Sequence, residues 1–256
     1  GDSFYGRSEN IKTFNHGLHH SIYDYPHESS SANHLFDISF GIAPSVPSVS
    51  PATNGTLFQG GYLNSTELLN LKVTASSLSE AQKFKRSYNQ MAMTLAGFDT
   101  NGNIRLLDSD GNYATEGDKI LDPIFLSFSR LLVKDEIKKG SFSMNFGVDA
   151  TNSDQGQFAR MIEIHDRGAD SDYKVNSPAG EYGKLYASEV VGSPISANLA
   201  YGESSQVSVG LIYYQAGIVV LEGSRICMGS PATDSALSDD GTDASSTRRI
   251  LAGFRG

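Results

Sequence analysis

Residues 206–221 read QVSVGLIYYQAGIVVL and decide the fold of this chain. In the first half of the stretch every second residue is apolar, which is the period of a β-strand with one buried face. Residues 215–217, Gln-Ala-Gly, then supply a turn, and four consecutive apolar residues follow it. The pattern predicts a core β-hairpin, or one long strand interrupted by a glycine bulge.

Two further segments repeat this period. Residues 141–148 alternate polar and apolar side chains without exception, and residues 35–40 place Phe36, Ile38 and Phe40 on one face. Clusters of Asp, Asn and Gly at residues 99–103 and 108–112 have the composition of tight turns. These features predict several antiparallel strands joined by hairpins.

One helix is predicted at residues 78–96. Ser77 and Glu80 have the spacing of a capping box, and apolar residues recur three or four positions apart from Phe84 to Leu95. Gly97 supplies the C-terminal stop, and charged residues occupy the opposite face. This is the pattern of a helix that packs on a core and is solvated outside.

The predicted fold class is therefore mainly β with one packed α-helix (α+β), as an antiparallel β-sandwich or barrel-like body with extended arms. Residues 229–247 are rich in Ser and Asp and contain no aromatic residue, which is typical of a mobile loop. We expect both ends of the sequence to be processing or truncation points. The predicted organisation is an N-terminal polar, His-rich arm (1–40), an extended loop region (41–76), a β-rich body (77–228), an acidic flexible loop (229–247) and a truncated C-terminal segment (248–256).

Composition excludes several classes of protein. The 256 residues include 20 Lys and Arg against 29 Asp and Glu, a formal net charge of −9, which argues against direct nucleic-acid binding. A single cysteine, Cys227, cannot form an internal disulfide or a zinc site with two thiolates. No apolar run approaches the roughly 20 residues that span a membrane, so we expect no membrane partner.

Five of the six histidines fall within the first 34 residues. Clustered imidazoles are common transition-metal ligands, but Gly17, Pro26 and the serine run at 29–31 argue against the helix that would align them. We interpret the segment as an arm that contacts partner proteins, with a metal site as the alternative. The candidate interface residues are Phe14, His16, His19, His20, Tyr23, Tyr25, His27, His34 and Phe36.

No pattern in the sequence predicts a catalytic site, a cofactor or a resident metal. The turn at residues 108–112 alternates oxygen side chains as calcium loops do, but it lacks the glycine and glutamate positions of such loops, so we interpret it as a β-turn. His165 and Asp166 could imitate an acid–base pair, and a polar surface turn is the interpretation that we prefer. We expect the chain not to be an enzyme.

Five segments carry a family resemblance: IKTFNHGLHHSIYD (11–24), PHESSSANH (26–34), FSRLLVKDEIKKGSF (128–142), YKVNSPAGEYGKLY (173–186) and VGLIYYQAGIVVL (209–221). Together they resemble virion structural proteins of large contractile-tailed marine bacteriophages, especially those that infect cyanobacteria. The similarity covers most of residues 10–222, and the acidic segment 229–247 departs from it. This resemblance implies assembly into a particle and transfers no catalytic residue.

The functional hypothesis is a structural subunit of a tailed-bacteriophage virion, located in the tail, baseplate or neck. Its expected partners are copies of itself, as a homo-oligomer within a larger assembly, and other virion structural proteins. One alternative is a receptor- or carbohydrate-binding module that uses tyrosines as stacking platforms. A remote alternative is a hydrolase built around His165. The proposed platforms are Tyr182, Tyr186, Tyr201, Tyr213 and Tyr214.

Overall fold

The computed structural model of the chain describes residues 8–14, 19–44, 75–113, 119–129, 136–150, 158–191 and 208–223. These residues form ten β-strands, one α-helix and a short 3-10 turn at Ser8–Asn10. The elements are β1 (Ile11–Thr13), β2 (His19–Tyr23), β3 (His34–Phe40), α1 (Ala75–Leu95), β4 (Pro123–Phe128), β5 (Ser143–Ala150), β6 (Phe158–His165), β7 (Tyr173–Lys174), β8 (Tyr182–Val191), β9 (Gly210–Tyr213) and β10 (Ile218–Glu222).

The strands form one antiparallel sheet in the order β1-β2-β3-β4-β10-β9-β8-β6-β5, and β7 pairs with the start of β8. The predicted central hairpin is confirmed, since β9 pairs with β10 in the register Tyr213 to Ile218 and Leu211 to Val220. Gly217 closes its turn at a φ of 65°, a left-handed conformation that glycine adopts without a steric penalty.

Both faces of the central strands are buried, which explains the unbroken apolar runs at residues 123–126 of β4 and 218–221 of β10. One set of side chains, the inner core, lies on one face, and a second set, the helix-side core, lies on the other and beneath α1. The inner core includes Ile22, Ile38, Phe40, Ile124, Leu126, Ile164, Leu185, Ile212, Val219 and Leu221. The helix-side core includes Tyr88, Ala92, Leu95, Leu107, Ile120, Phe125, Tyr182, Leu211, Tyr213 and Val220.

Helix α1 lies against the sheet through Tyr88, Ala92 and Leu95, all fully buried, as the three-and-four spacing predicts. The Tyr88 hydroxyl donates to the Ile120 carbonyl (3.0 Å) and accepts from the Leu107 amide (2.9 Å). Helix α1 thereby holds the loop region 104–120 on the sheet. The predicted capping pair, Ser77 and Glu80, has side chains outside the described part of the chain.

The sheet curls over the inner core. Five strand spacings separate β4 from β5, about 24 Å in a flat sheet. Yet the ring of Phe128, at the end of β4, lies 5.9 Å from the ring of Phe142, just before β5. The prediction of a mainly β fold with one packed helix is confirmed. Of the two predicted forms the curl is closer to a barrel, but among the described residues β1 and β5 do not pair and the sheet stays open.

The segment predicted as an N-terminal arm contributes β1, β2 and β3 to this sheet. The physical reason is its apolar content, because Ile22, Ile38 and Phe40 are buried in the inner core. The next residues, up to 44, remain attached to the body, where the Ala43 amide donates to the Leu121 carbonyl. Residues 45–74, which include most of the predicted extended loop, and the predicted acidic loop and C-terminal segment lie outside the described residues.

Candidate functional site

A row of hydrogen-bonded polar side chains joins β2, β3 and the residue that follows β4. His34 Nε2 lies 2.8 Å from the Asp37 carboxylate, and His34 Nδ1 lies 2.6 Å from the Ser129 hydroxyl. The Ser21 hydroxyl donates to the same Asp37 oxygen at 2.5 Å. These four residues, His34, Asp37, Ser129 and Ser21, are called the histidine network below.

A β-bulge brings His34 into this network. Residues three apart in a regular strand point to opposite faces, so His34 and Asp37 would not meet. In the pairing of β2 with β3, however, Ile22 faces Phe36 and Tyr23 faces His34, which leaves Leu35 as an extra residue. The bulge turns the His34 side chain to the face of Asp37, an effect for which β-bulges are known.

The partners of His34 fix where its proton lies when the ring is neutral. The Asp37 carboxylate can only accept, so His34 Nε2 carries the hydrogen that points to it. His34 Nδ1 then offers a lone pair to the Ser129 O–H. The His34 and Asp37 side chains are 34% and 30% exposed, which keeps the network open to solvent. The arrangement can move a proton from a serine hydroxyl to an imidazole.

The other predicted interface residues differ in their exposure. Phe14 and Tyr25 are 36% and 58% exposed, and His19 is also exposed. Tyr23 and His27 are half-buried, and the edge of the Tyr23 ring meets the His34 ring at 5.4 Å. His16 lies outside the described residues.

Two of the predicted interface residues turn inward. His20 is only 1% exposed, because it lies opposite Ile38 on the inner-core face of β2. Its ring contacts Phe40 and its Nδ1 is 3.2 Å from the Thr13 hydroxyl. Phe36 packs on the inner core and on Phe128. The structure therefore places His20 in the core, where it is not open to a partner.

His165 and Asp166 are both fully buried, in contrast to the surface turn that the sequence predicts. The reason is that β6 runs through the sheet up to His165, with β5 and β8 on its two sides. His165 Nε2 is 2.8 Å from the Ser188 hydroxyl, and His165 Nδ1 accepts from the Arg167 amide. The Ser188 hydroxyl is thus bonded to the imidazole, but the other ring nitrogen is bonded to a backbone amide and not to a carboxylate. This differs from the order hydroxyl, imidazole, carboxylate that a catalytic triad requires.

Stability should depend on pH through His165. Burial, and then the charge of Arg167, lowers the pKa of this ring in the folded chain, while Glu163 and Asp166 act in the opposite direction. The unfolded chain therefore binds the proton more readily, and the free energy of unfolding should fall as pH drops below about 6.5. Urea denaturation between pH 7 and 5 measures this loss, and we expect His165→Gln to reduce it.

The matched control for the loss of a histidine is His19→Gln, since the His19 side chain is exposed and the His165 side chain is fully buried. If His165→Gln followed the wild-type profile throughout this range, burial of His165 would not be the origin of the acid sensitivity.

The acidic turn at residues 108–112 is held by its own bonds. Asp108 is fully buried, its Oδ1 accepts from the amides of Asp110 and Asn112, and its Oδ2 pairs with the Lys119 ammonium. Burial raises the pKa of Asp108, and Lys119 opposes that rise. Across the described ranges, no group of three or more His, Cys, Asp or Glu side chains is placed to hold a metal ion.

The tyrosines proposed as stacking platforms are core residues. Tyr182, Tyr186, Tyr213 and Tyr214 are all buried, and the rings of Tyr182 and Tyr213 stack on each other at 4.9 Å. Their rings cannot stack on an external sugar. Tyr201 lies outside the described residues.

Sequence reasoning missed three of the four members of the histidine network. Ser129 is 95 positions from His34, and no short motif links them. The only local signal is the pair His34 and Asp37, whose spacing suggests opposite faces of a strand until the bulge is known. In the described part of the chain, no helix is both long and apolar enough to cross a membrane. No family model, no curated protein and no solved structure matches this chain.

Proposed function

We propose that this chain is a structural subunit of a tailed-bacteriophage virion, in the tail, baseplate or neck, and that it acts through contacts between subunits. The observation that carries the proposal is the open sheet edge at β1, which has no strand partner on its outer side among the described residues. An open edge presents backbone N–H and C=O groups that pair readily with another chain. The sequence resemblance supplies the class of particle.

The composition of this edge supports the proposal. The exposed side chains of Phe14 and His19, whose rings meet at 6.2 Å, lie at the end of the β1–β2 hairpin. Tyr25 is exposed just beyond the other end of β2. Aromatic side chains are enriched at protein interfaces, and lysine and acidic residues are depleted. On this proposal, the protein's partners are further copies of the chain and other virion proteins, and its location is the virion.

The hydrogen-bond pattern of β1 allows a precise test. The Phe14 amide donates to the His19 carbonyl, so every second residue from Phe14 turns its backbone groups toward β2. Thr13 lies between these positions and turns its N–H to the open edge. Thr13→Pro removes that donor and spares the β1–β2 ladder.

We expect the purified protein to self-associate with increasing concentration, and Thr13→Pro to weaken that association. Loss of one hydrogen bond, about 1 kcal/mol, corresponds to about a fivefold rise in the dissociation constant. Sedimentation velocity over a concentration series measures the change. Thr13→Val is the matched control, because it removes the side-chain contact with His20 but keeps the backbone N–H.

Two results would count against the proposal in different ways. Equal association of Thr13→Pro and Thr13→Val would exclude the β1 edge as the contact. Absence of the chain from purified particles, checked by mass spectrometry, would exclude the virion role itself. Deletion of residues 1–40 is an unsuitable test, since it removes three strands and part of the inner core.

A further inference from the structure

We propose that Ser129 is an activated nucleophile and that the histidine network is an acyl-transfer site for small carboxylic esters. This inference is independent of the proposed structural role, because it uses a face of the sheet and not its edge. It rests on three groups in order: a hydroxyl, an imidazole and a carboxylate. A nucleophile, its base and a group that orients the base are the parts that such catalysis requires.

The distances suit proton transfer. The Ser129 oxygen is 2.6 Å from His34 Nδ1, and His34 Nε2 is 2.8 Å from Asp37 Oδ1. The carboxylate fixes the tautomer in which Nδ1 is free to accept and stabilises the imidazolium that forms. The Ser129 hydroxyl also lies 3.2 Å from the His34 carbonyl, and the contact with the ring nitrogen is the shorter of the two.

The backbone holds each part in place. Asp37 lies within β3 between β2 and β4, and the Ser21 hydroxyl from β2 fixes its carboxylate. Ser129 directly follows β4, and its amide donates to the Leu35 carbonyl at 3.1 Å. The bulged residue thus positions both His34 and Ser129. Sites supported by strands keep their geometry better than sites on loops.

The site is partly open to solvent, and Ser129 itself is half-buried. The imidazole and the carboxylate are each about one-third exposed. The Tyr23 ring edge contacts His34 and provides an apolar neighbour for an acyl group. Small uncharged esters fit these surroundings, which contain one carboxylate and no cation among the network residues.

With 4-nitrophenyl acetate the chemistry runs in two steps. The Ser129 oxygen bonds to the acetyl carbon, its proton moves to His34 Nδ1, and the bond to 4-nitrophenolate breaks. His34 then passes this proton through solvent to 4-nitrophenolate and returns to its neutral form. Water then attacks the acetyl-serine and gives one proton to the neutral His34, which passes it to the Ser129 oxygen as the acyl bond breaks and acetic acid leaves. The net reaction is ester plus water giving acid plus phenol, and no oxidant or metal is required.

The test uses the full chain and 4-nitrophenyl acetate. We expect a burst of 4-nitrophenolate and acetyl groups on Ser129 by peptide mass spectrometry. Ser129→Ala should abolish the burst, and His34→Gln should slow it about a hundredfold.

Ser141 is the internal reference. Its hydroxyl is on an exposed residue and donates to the Lys138 carbonyl, with no imidazole bonded to it. Comparing acetylation of Ser129 and Ser141 in the unmutated protein needs no variant, so the inference stays testable even if Ser129→Ala does not fold. Equal labelling of the two serines, acetylation on His34 in place of Ser129, or a burst that survives in folded Ser129→Ala would overturn it.

Discussion

Asp166→Ala should lower the free energy of unfolding by about 4 kcal/mol, the largest loss that we expect from a single side chain. The Asp166 carboxylate is fully buried and accepts three hydrogen bonds, from the amides of Gly140 (2.8 Å) and Phe142 (2.9 Å) and from the Tyr214 hydroxyl (3.1 Å). Hydrogen bonds to a charged group contribute about 1.5–3 kcal/mol each, and the abandoned donors would stay desolvated. Urea denaturation at pH 7 measures the effect.

The loss of stability in Asp166→Ala should include more than the three hydrogen bonds. Asp166 follows β6 and fixes the segment that leads into β5, so it also holds Phe142 against Phe128. That contact joins strands that are far apart in the sheet order. Asp166→Ala should therefore loosen the curl, and hydrogen exchange at the Phe142 amide should rise more than exchange in the β9–β10 hairpin.

Asp170→Ala provides the control, since Asp170 is an exposed neighbour in the same turn and should cost little stability. If both variants unfolded at the same urea concentration, the bonds of Asp166 would not be what holds the curl together.

Periodicity predicted the parts of the fold in which burial follows the chain regularly. The β9–β10 hairpin, β3 and α1 could be predicted from sequence for this reason. The bounds of the helix differ from those expected by only a few residues. The curl of the sheet could not be predicted in this way, because it depends on a contact between Phe128 and Phe142 across five strand spacings. Neither residue carries a local sign of that contact.

The candidate site was harder to predict, and two physical reasons explain why. A single extra residue, Leu35, reverses the face on which His34 lies, and sequence alternation cannot reveal a bulge. The histidine-rich composition suggested an arm that contacts partner proteins, whereas strand pairing buries His20 and leaves His34 about one-third exposed. The burial of His165 and Asp166 likewise follows from strand partners that are remote in sequence.

Gly210→Ala should destabilise the central hairpin by at least about 3 kcal/mol or prevent folding. Gly210 lies on β9 opposite Leu221 of β10, where the two strands approach closely. A Cβ atom at this position would overlap the Val220 carbonyl oxygen and lie 3.0 Å from the Leu221 Cα. Both atoms belong to the backbone, so relief requires movement of a strand and not of a flexible side chain. Thermal and urea unfolding of the purified variant measure the cost.

Gly102→Ala separates this steric effect from the general cost of replacing glycine. Gly102 has a φ of 82°, and no atom lies within 4 Å of a Cβ built there, so its replacement should cost only about 1 kcal/mol of backbone strain. Since Gly210 has no left-handed backbone, its larger cost must come from close approach of β9 and β10. Equal stability of the two variants would mean that the strands can separate by the width of a methyl group. That result would contradict the close approach of β9 and β10 at Gly210.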